Sequence, residues 1–399
     1  MKIRSIDKVK NLSGRVIFLR VDFNVPLKKG KIMDDHKVAA GLDTIKFLIS
    51  QGARLIIATH LGEPDKFDKA YSVKPVAARL KTLLKHPVRF LGSASIEKIS
   101  AAVAKLEPGG IVMLENLRFN HGEYDNDPAF AKSLASLADV YVNDAFAVCH
   151  RDQASVSAIN KYRTVYAGLL LTKELTALNK ILKPKKPLVI VMGGAKIGTT
   201  MGGIKVGSKA SLIAKLSPLA SSILIGGALA NSFFKFRGWE IGRSLCDKDS
   251  VAIIKKLFSN RKLSSKIKLP LDVVVKDRQG RARVVSPQAV KKDETILDIG
   301  PKTIAAYAVE IRLAKTLVWN GPMGKYEEKS FKHGTLAIAS LIAARSSGRA
   351  YGLVGGGETV DALKLSKMEE YVDWISTAGG AMLTYLGGGK MPGLKGLLS

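Results

Sequence analysis

The amino-acid sequence predicts an α/β protein made of two lobes, each a parallel β-sheet flanked by helices. Two observations lead to this prediction. The chain has 399 residues, more than a single hydrophobic core normally organises, so two domains are expected. Apolar strand patterns also alternate with helical patterns, and this alternation starts again after one long helical stretch in the middle of the chain.

The first half of the chain supplies the strands and helices of the first lobe. Buried strands are expected at residues 16–22, 53–59, 111–115 and 140–143. Helices are expected at 37–51, where Gly52 is a suitable C-cap, and at 128–138. Strands that alternate with helices are joined by right-handed crossovers, so the sheet is expected to be parallel.

The second half repeats this organisation. A long helix is expected at 168–182, ended by Lys183-Pro184. Further strands are expected at 188–192, 222–225, 271–275, 316–319 and 351–354, with mixed strand and loop signals over 264–294. Two βαβ blocks joined by one interdomain helix indicate a bilobed, Rossmann-like architecture.

Composition excludes several classes of protein. Hydrophobic residues make up 46% and charged residues 24%, as in soluble globular proteins. No run of about eighteen uncharged apolar residues predicts a membrane span, and the first residues lack the apolar core of a secretory signal. Cys149 and Cys246 lie far apart without metal-ligand spacing, which argues against a disulfide or zinc scaffold and favours a cytoplasmic protein.

The charge balance is unusual, because 63 basic residues face 34 acidic ones and the net charge is +29. Such an excess raises the possibility of nucleic-acid binding. The basic residues are nevertheless spread along the chain, and no helix-turn-helix, zinc-finger, RNP or KH signature organises them. We therefore favour a generally basic surface, which also helps an anionic substrate to associate, over a nucleic-acid site.

Polar side chains follow the predicted strands of the first lobe. They are Asp22 and Asn24, then His60, Arg118, Asn143-Asp144 and His150-Arg151. Ligands of open parallel sheets bind beyond the carboxyl ends of the strands, and arginine and histidine suit phosphate or carboxylate oxygens. This edge is predicted to bind an anion.

Glycine clusters follow the strands of the second lobe, at Gly193-Gly194, Gly226-Gly227, Gly321 and 355–357. Glycines at strand ends let backbone N–H groups approach phosphate oxygens. None of the clusters fits a P-loop or a dinucleotide fingerprint. A nucleotide-phosphate site on one lobe and an anion site on the other suit phosphoryl transfer, which needs positioning and charge neutralisation more than a covalent nucleophile.

At these residues the sequence resembles phosphoglycerate kinases over almost its full length. The matching segments, in order, are RVDFNVPL (20–27), HLG (60–62), LENLRF (114–119), VNDAF (142–146), HR (150–151), GGAK (193–196), DIGPKT (298–303), WNGPMG (319–324) and GGGET (355–359). The resemblance implies Mg²⁺-dependent phosphoryl transfer between 1,3-bisphosphoglycerate and ADP, giving 3-phosphoglycerate and ATP in glycolysis. It also implies a monomer.

The resemblance implies a division of the chain into four parts. Residues 1–167 would bind 3-phosphoglycerate, 168–183 would form the interdomain helix with its hinge, 184–381 would bind ATP or ADP, and 382–399 would return to the N-terminal domain. Carried over motif by motif, the substrate-binding residues would be Asp22, Asn24, Lys37, His60, Arg118 and Arg151. Lys37 and Lys196 would act on the transferring phosphoryl group.

The nucleotide site implied by the resemblance comprises Gly194, Ala195, Lys196, Asn320, Pro322, Glu327, Gly356, Gly357 and Thr359. Glu327 would accept hydrogen bonds from the ribose hydroxyls. Glu358 stands where the family has a magnesium-ligating aspartate.

The chain departs from the family pattern at charged positions. Lys37 and Glu63 stand where the family has arginine, and Thr200 stands four positions after the glycine-loop lysine, where the family has a second lysine. Glu63 is expected either to point away from the anion or to be compensated by a nearby cation such as Lys66. These changes leave open a paralogue with impaired catalysis and a binding or regulatory role.

Overall fold

The strands of the first half of the chain form one parallel sheet. The computed structural model describes residues 3–93, 95–194, 199–201, 204–206, 209–246, 254–255 and 257–398. Among them, the first-half strands are β1 (Val16–Val21), β2 (Leu27–Lys28), β3 (Lys31–Ile32), β4 (Arg54–Ala58), β5 (Arg89–Phe90), β6 (Ile111–Met113), β7 (Val140–Asp144) and β8 (Val165–Ala167). Six of them pair in the order β5-β6-β4-β1-β7-β8, while β2 and β3 form a small antiparallel ribbon.

The helices of this half of the chain are α1 (His36–Ala40), α2 (Leu42–Ser50), α3 (Lys74–Leu84), α4 (Ile96–Ala104), α5 (His121–Tyr124), α6 (Pro128–Ser136) and α7 (Leu169–Leu182). Apolar side chains of β1 and β4 pack with those of α2 and α3 in one buried cluster that includes Leu19, Ile57, Leu48 and Leu80. Burying each such side chain contributes about 1.5–3 kcal/mol.

The prediction of a single helix at 37–51 is wrong in one respect. Two helices occupy this stretch, because α1 ends at Ala40 and α2 begins at Leu42. Gly41 lies between them. A Cβ on Gly41 would lie 2.8 Å from Cε1 of Phe23, so a larger residue there would require the ring to move.

The strand order of the first sheet indicates where a ligand would bind. The chain runs from β1 to β4 and the β5–β6 edge, then crosses to β7 on the other side of β1. The strand order therefore reverses beside β1, and the loops after β1, β4 and β7 open at the same edge.

The chain divides into two compact units, Met1–Thr176 with Lys390–Ser399, and Ala177–Gly389. In the first unit, the backbone N–H of Arg4 donates to Leu397 O at 2.9 Å, and Asn143 Nδ2 donates to Gly393 O at 3.1 Å. Residues 390–398 thus pack on the amino terminus and on the end of β7.

The second unit contains a second six-stranded parallel sheet. Its strands, with those of two smaller sheets, are β9 (Leu188–Met192), β10 (Thr199–Met201), β11 (Ile204–Val206), β12 (Ser222–Ile225), β13 (Ile267–Lys268), β14 (Val273–Lys276), β15 (Ala282–Val285), β16 (Thr295–Ile299), β17 (Thr316–Asn320), β18 (Tyr351–Gly355) and β19 (Trp374–Ser376). The parallel order is β13-β12-β9-β17-β18-β19, which reverses beside β9.

The helices of this unit that the structure describes are α8 (Lys209–Leu216), α9 (Gly227–Phe236), α10 (Arg261–Ser264), α11 (Pro301–Leu313), α12 (His333–Ser346), α13 (Gly357–Leu365) and α14 (Gly380–Leu386). The predicted α/β class with parallel, helix-flanked sheets is confirmed. Among the described residues, no helix is both long enough and apolar enough to cross a membrane.

The strand expected at 271–275 belongs to a different sheet from the one predicted. It begins at Val273 as β14 and pairs antiparallel with β15 and β16 in a three-stranded sheet. Its side chains alternate between buried and half-buried, as in a strand with one covered face, whereas β9 and β17 are buried throughout.

Candidate active site

The polar residues predicted for the anion site lie together at one edge of the first sheet. Asp22 follows β1, His60 follows β4, Arg118 lies just beyond β6, and Arg151 lies beyond β7. Lys37 reaches the group from α1, and its Nζ lies 2.8 Å from Asp22 Oδ2.

His60 is buried against a second network. Arg20 Nη2 lies 3.2 Å from His60 Nδ1, and Arg20 is fully buried. A guanidinium can only donate, so Nδ1 accepts and the ring carries its proton on Nε2. Burial lowers the pKa of His60 well below its usual value, and the positive charges of Arg20, Arg118, Arg151 and Lys37 lower it further. His60 is therefore a neutral donor here and not one of the basic groups.

This protonation state is testable by NMR. We expect His60 to stay neutral, with its proton on Nε2, through the pH range around 6.5 in which free histidine titrates. Nitrogen-15 spectra of the imidazoles between pH 5 and 8 measure it, with free histidine in the same buffer as the reference. A His60 signal that becomes imidazolium within this range would contradict the assignment.

The backbone of Gly62 forms hydrogen bonds to two residues of the cluster. Its N–H donates to Asn24 Oδ1 at 3.0 Å, and its carbonyl accepts from Arg118 Nη1. Its φ is +61°, and a Cβ would lie 2.3 Å from the Tyr71 ring. Glycine adopts this φ without strain, and a larger residue here would have to displace the Tyr71 ring.

Arg118 is the most constrained cation of the group. It is 1% exposed, and its Nε and Nη2 have no hydrogen-bond partner among the described residues. Its guanidinium carbon lies 5.3 Å from the centre of the Tyr124 ring. Burial lowers the pKa of Arg118 to about 10, so it stays cationic at neutral pH. Buried unpaired donors are rare in proteins, and these two are suited to an anion.

Glu63 meets the second of the two expectations, because nearby cations compensate its charge. Its Oε1 lies 2.9 Å from Arg151 Nη1 and 3.7 Å from Arg118 Nη1, so it points into the cluster, and its partners are arginines and not Lys66.

Asn143 and Asp144 support the fold instead of facing the cluster. Asn143 bonds the C-terminal tail, while Asp144 Oδ1 accepts from Leu171 N at 2.9 Å. Both are buried.

A pocket of about 410 Å³ lies in the second unit, at the carboxyl ends of β9, β12 and β17. Its walls are apolar, with Ile296, Ile299 and Met323 among them. Its lining also includes four residues of the predicted nucleotide and metal sites: Gly194, Pro322, Glu327 and Glu358.

Other predicted nucleotide residues lie beside this pocket. Asn320 Nδ2 donates to Gly355 O at 2.7 Å, and Thr359 Oγ1 accepts from Gly321 N at 2.7 Å. Both side chains are buried: Asn320 joins the ends of β17 and β18, and Thr359 joins α13 to the loop after β17. Gly356 precedes α13 with φ +99°, and Gly357 begins that helix. Ala195 and Lys196 lie outside the described residues.

The protein-family model described as phosphoglycerate kinase matches residues 6–389. This chain belongs to the phosphoglycerate kinase family. A phosphoglycerate kinase of Dictyoglomus turgidum is 40% identical over 394 residues, covering 96% of each chain. One of Moorella thermoacetica is 40% identical over 392 residues, covering 97% of each chain.

Solved structures agree with this membership. The structure of phosphoglycerate kinase from Coxiella burnetii has a TM-score of 0.85 and 36% identity, covering 99% of each chain. That of phosphoglycerate kinase from Pyrococcus horikoshii OT3 has a TM-score of 0.79 and 29% identity, covering 98% of each chain. The chain is thus a kinase, a phosphotransferase with a carboxyl group as acceptor, whose family acts on small molecules with ATP or ADP as co-substrate.

Lys209 lies at the glycine loop after β9, and the sequence analysis did not single it out. Its Nζ donates to Gly193 O, and a Cβ on Gly194 would lie 2.8 Å from that nitrogen. Burial lowers the pKa of Lys209 to about 8, and the carboxylate of Glu358 opposes the shift.

Thr200 stands where the resemblance implies a second phosphate-binding lysine. It pairs with Lys205 in the β10–β11 hairpin. This hairpin separates the glycine loop from α8, and Lys209 begins that helix. The position of Lys209 in the sequence could have identified it, because it is the first residue of the helix that precedes the strand at 222–225.

The residues present fit a magnesium ion of the kind that kinases use. No group of three or more His, Cys, Asp or Glu side chains suited to a metal occurs among the described residues. Glu358 is an exposed carboxylate in the first turn of α13, at the rim of the pocket. Magnesium in such sites takes one or two carboxylates, with phosphate oxygens and water as its other ligands. One carboxylate beside a nucleotide pocket is consistent with that arrangement.

Proposed function

We propose that this chain catalyses the reversible, Mg²⁺-dependent transfer of a phosphoryl group between 1,3-bisphosphoglycerate and ADP, giving 3-phosphoglycerate and ATP, as a step of glycolysis. The first unit binds the phosphoglycerate and the second binds the nucleotide. One observation carries the proposal: Arg118 is buried with two donor nitrogens unpaired among the described residues. Leaving buried donors of a cation without hydrogen-bond partners is costly, so the surrounding cluster is suited to an anionic ligand.

The side chains around Arg118 have complementary tasks. Arg118, Arg151 and Lys37 neutralise the phosphate and carboxylate of the substrate. Asp22 and Asn24 orient its hydroxyl group. His60 donates from Nε2 as a neutral group, because Arg20 occupies its Nδ1.

The second unit supports nucleotide binding through its pocket. The apolar walls at Ile296, Ile299 and Met323 suit a base, and exposed Glu327 suits the ribose hydroxyls. Lys209 and Lys196 are assigned to the phosphates. Glu358 would hold Mg²⁺, which supplies charge neutralisation of the phosphate oxygens.

The transfer needs no covalent enzyme intermediate. The bond between phosphorus and the acyl oxygen breaks, and a bond from phosphorus to a terminal oxygen of ADP forms. The carboxylate of 3-phosphoglycerate leaves. Lys37 and Lys196 stabilise the charge on the transferring group, and catalysis comes from positioning and electrostatics.

The proposal is tested with a coupled assay that supplies 1,3-bisphosphoglycerate, ADP and Mg²⁺. We expect turnover by the wild-type chain and a fall of about a hundredfold in kcat/KM for 1,3-bisphosphoglycerate in Arg118→Met, because charge-assisted contacts contribute about 1.5–3 kcal/mol each. Arg89→Met is the matched control, since Arg89 is an exposed arginine on β5.

Circular dichroism checks that Arg118→Met folds, and Arg118→Lys provides a milder variant if it does not. Wild-type turnover no higher than that of Arg118→Met would contradict the proposal. Binding of 3-phosphoglycerate without turnover would instead favour a paralogue with impaired catalysis, a possibility raised by the ion pair between Glu63 and Arg151.

A further inference from the structure

Glu63 occupies donors that a substrate anion would use. Its Oε1 lies 2.9 Å from Arg151 Nη1 and 3.7 Å from Arg118 Nη1. Glu63 is 49% exposed at its side chain, whereas that of Arg151 is 27% exposed and that of Arg118 is buried. A partly solvated carboxylate therefore lies over two more deeply set guanidinium groups.

The backbone fixes this orientation. Gly62, the preceding residue, is held by Asn24 through its N–H and by Arg118 through its carbonyl. Its φ of +61° is one that residues with a Cβ rarely adopt. The direction in which Glu63 leaves the chain is thus set by the same residues that form the anion site.

Glu63 also changes the charge of the site. Three cations, Lys37, Arg118 and Arg151, share the cluster with the carboxylates of Asp22 and Glu63, and His60 is neutral. Removing Glu63 leaves Asp22 as the single carboxylate against those three cations. The excess of positive charge available to a ligand then doubles, and the Arg151 N–H held by Glu63 is released.

We propose that Glu63 is a specificity-determining residue of the anion site, whose carboxylate competes with the ligand's own anionic groups for Arg151 and Arg118. The assignment of 3-phosphoglycerate to this site rests on the function proposed above. The competition costs a ligand more as its charge increases, because each added negative charge is repelled by Glu63. Glu63 therefore lowers the affinity of the site for a multiply charged phosphate ester.

Calorimetry on the full-length chain tests this with three probes of decreasing charge: 3-phosphoglycerate, inorganic phosphate and glycerate. Glu63→Gln should bind 3-phosphoglycerate about tenfold more tightly than wild type, phosphate by a smaller factor, and glycerate, with a single charge, by the smallest factor. The gain should shrink at high salt, since exposed charges are screened over about 10 Å at 0.1 M salt. Glu63→Asp, which keeps the charge, should stay within about threefold of wild type.

Glu107→Gln is the matched control, because it removes the same charge from an exposed residue before β6, at the opposite edge of the sheet. It should leave all three affinities unchanged. An equal gain in Glu107→Gln, or no gain for 3-phosphoglycerate in a folded Glu63→Gln, would overturn the inference.

Turnover separates this inference from the proposed function. If Glu63→Gln tightens anion binding while no variant turns over, the kinase assignment fails and the role of Glu63 stands. If the wild type turns over and Glu63→Gln has the same KM and affinity for 3-phosphoglycerate, the role of Glu63 fails alone. If both are correct, Glu63→Gln lowers KM about tenfold and leaves kcat equal or lower.

Discussion

Replacing Lys209 with methionine is expected to lower kcat/KM for ADP by about a hundredfold, because the loss of one charge-assisted phosphate contact costs up to about 3 kcal/mol. The amine lies at the glycine loop, where it donates to Gly193 O, and it is half-buried. Among the described residues, no other lysine lies at this loop. The coupled assay measures the effect under saturating 1,3-bisphosphoglycerate.

Lys215→Met is the matched control for this variant. Lys215 is exposed in the last turn of α8, the helix that Lys209 begins, and its loss should change kcat/KM less than about twofold. A fall of less than about threefold in a folded Lys209→Met would contradict a phosphate contact by this lysine.

The same amine predicts a pH dependence. Because burial lowers the pKa of Lys209 to about 8, the free protein loses this positive charge as the pH rises through that value. The quantity kcat/KM for ADP, which reports the free enzyme, should therefore fall above about pH 8. In Lys209→Met the corresponding step should be absent.

Replacing Arg20 with methionine is expected to destabilise the first unit by about 3–5 kcal/mol, the usual cost of leaving a buried charge without its partner. Arg20 and Glu123 are both fully buried, 3.9 Å apart, and Ser155 joins them. Burial already raises the pKa of Glu123 above its usual value, and Arg20 opposes that shift. Without Arg20 the carboxylate must be protonated or solvated.

Native-state hydrogen exchange of the β1 amides in the full-length chain measures this loss. Arg54→Met is the matched control, since Arg54 lies on the neighbouring strand β4, is half-buried, and bonds a single backbone carbonyl, that of Gly14. Adding Glu123→Gln to Arg20→Met should recover part of the loss. An opening free energy lowered by less than about 1 kcal/mol would show that the pair is not coupled in this way.

Central strands were predicted best from the sequence. The boundaries expected for residues 188–192 and 222–225 agree with β9 and β12. Both strands are buried along their whole length, so each is a continuous apolar run ended by glycine or a polar residue. Strand β14 has one covered face, and its sheet could not be assigned from apolar residues alone.

By itself, the sequence determined the α/β class, the family, and the strand ends that carry the candidate site. These depend on local patterns and on the order of motifs along the chain. Only the tertiary structure decided that Glu63 pairs with Arg151, that His60 lies against Arg20, and that Lys209 contacts the glycine loop at Gly193. Each of these joins residues far apart in the chain, so it depends on how loops from different strands and helices pack, which residue spacing does not encode.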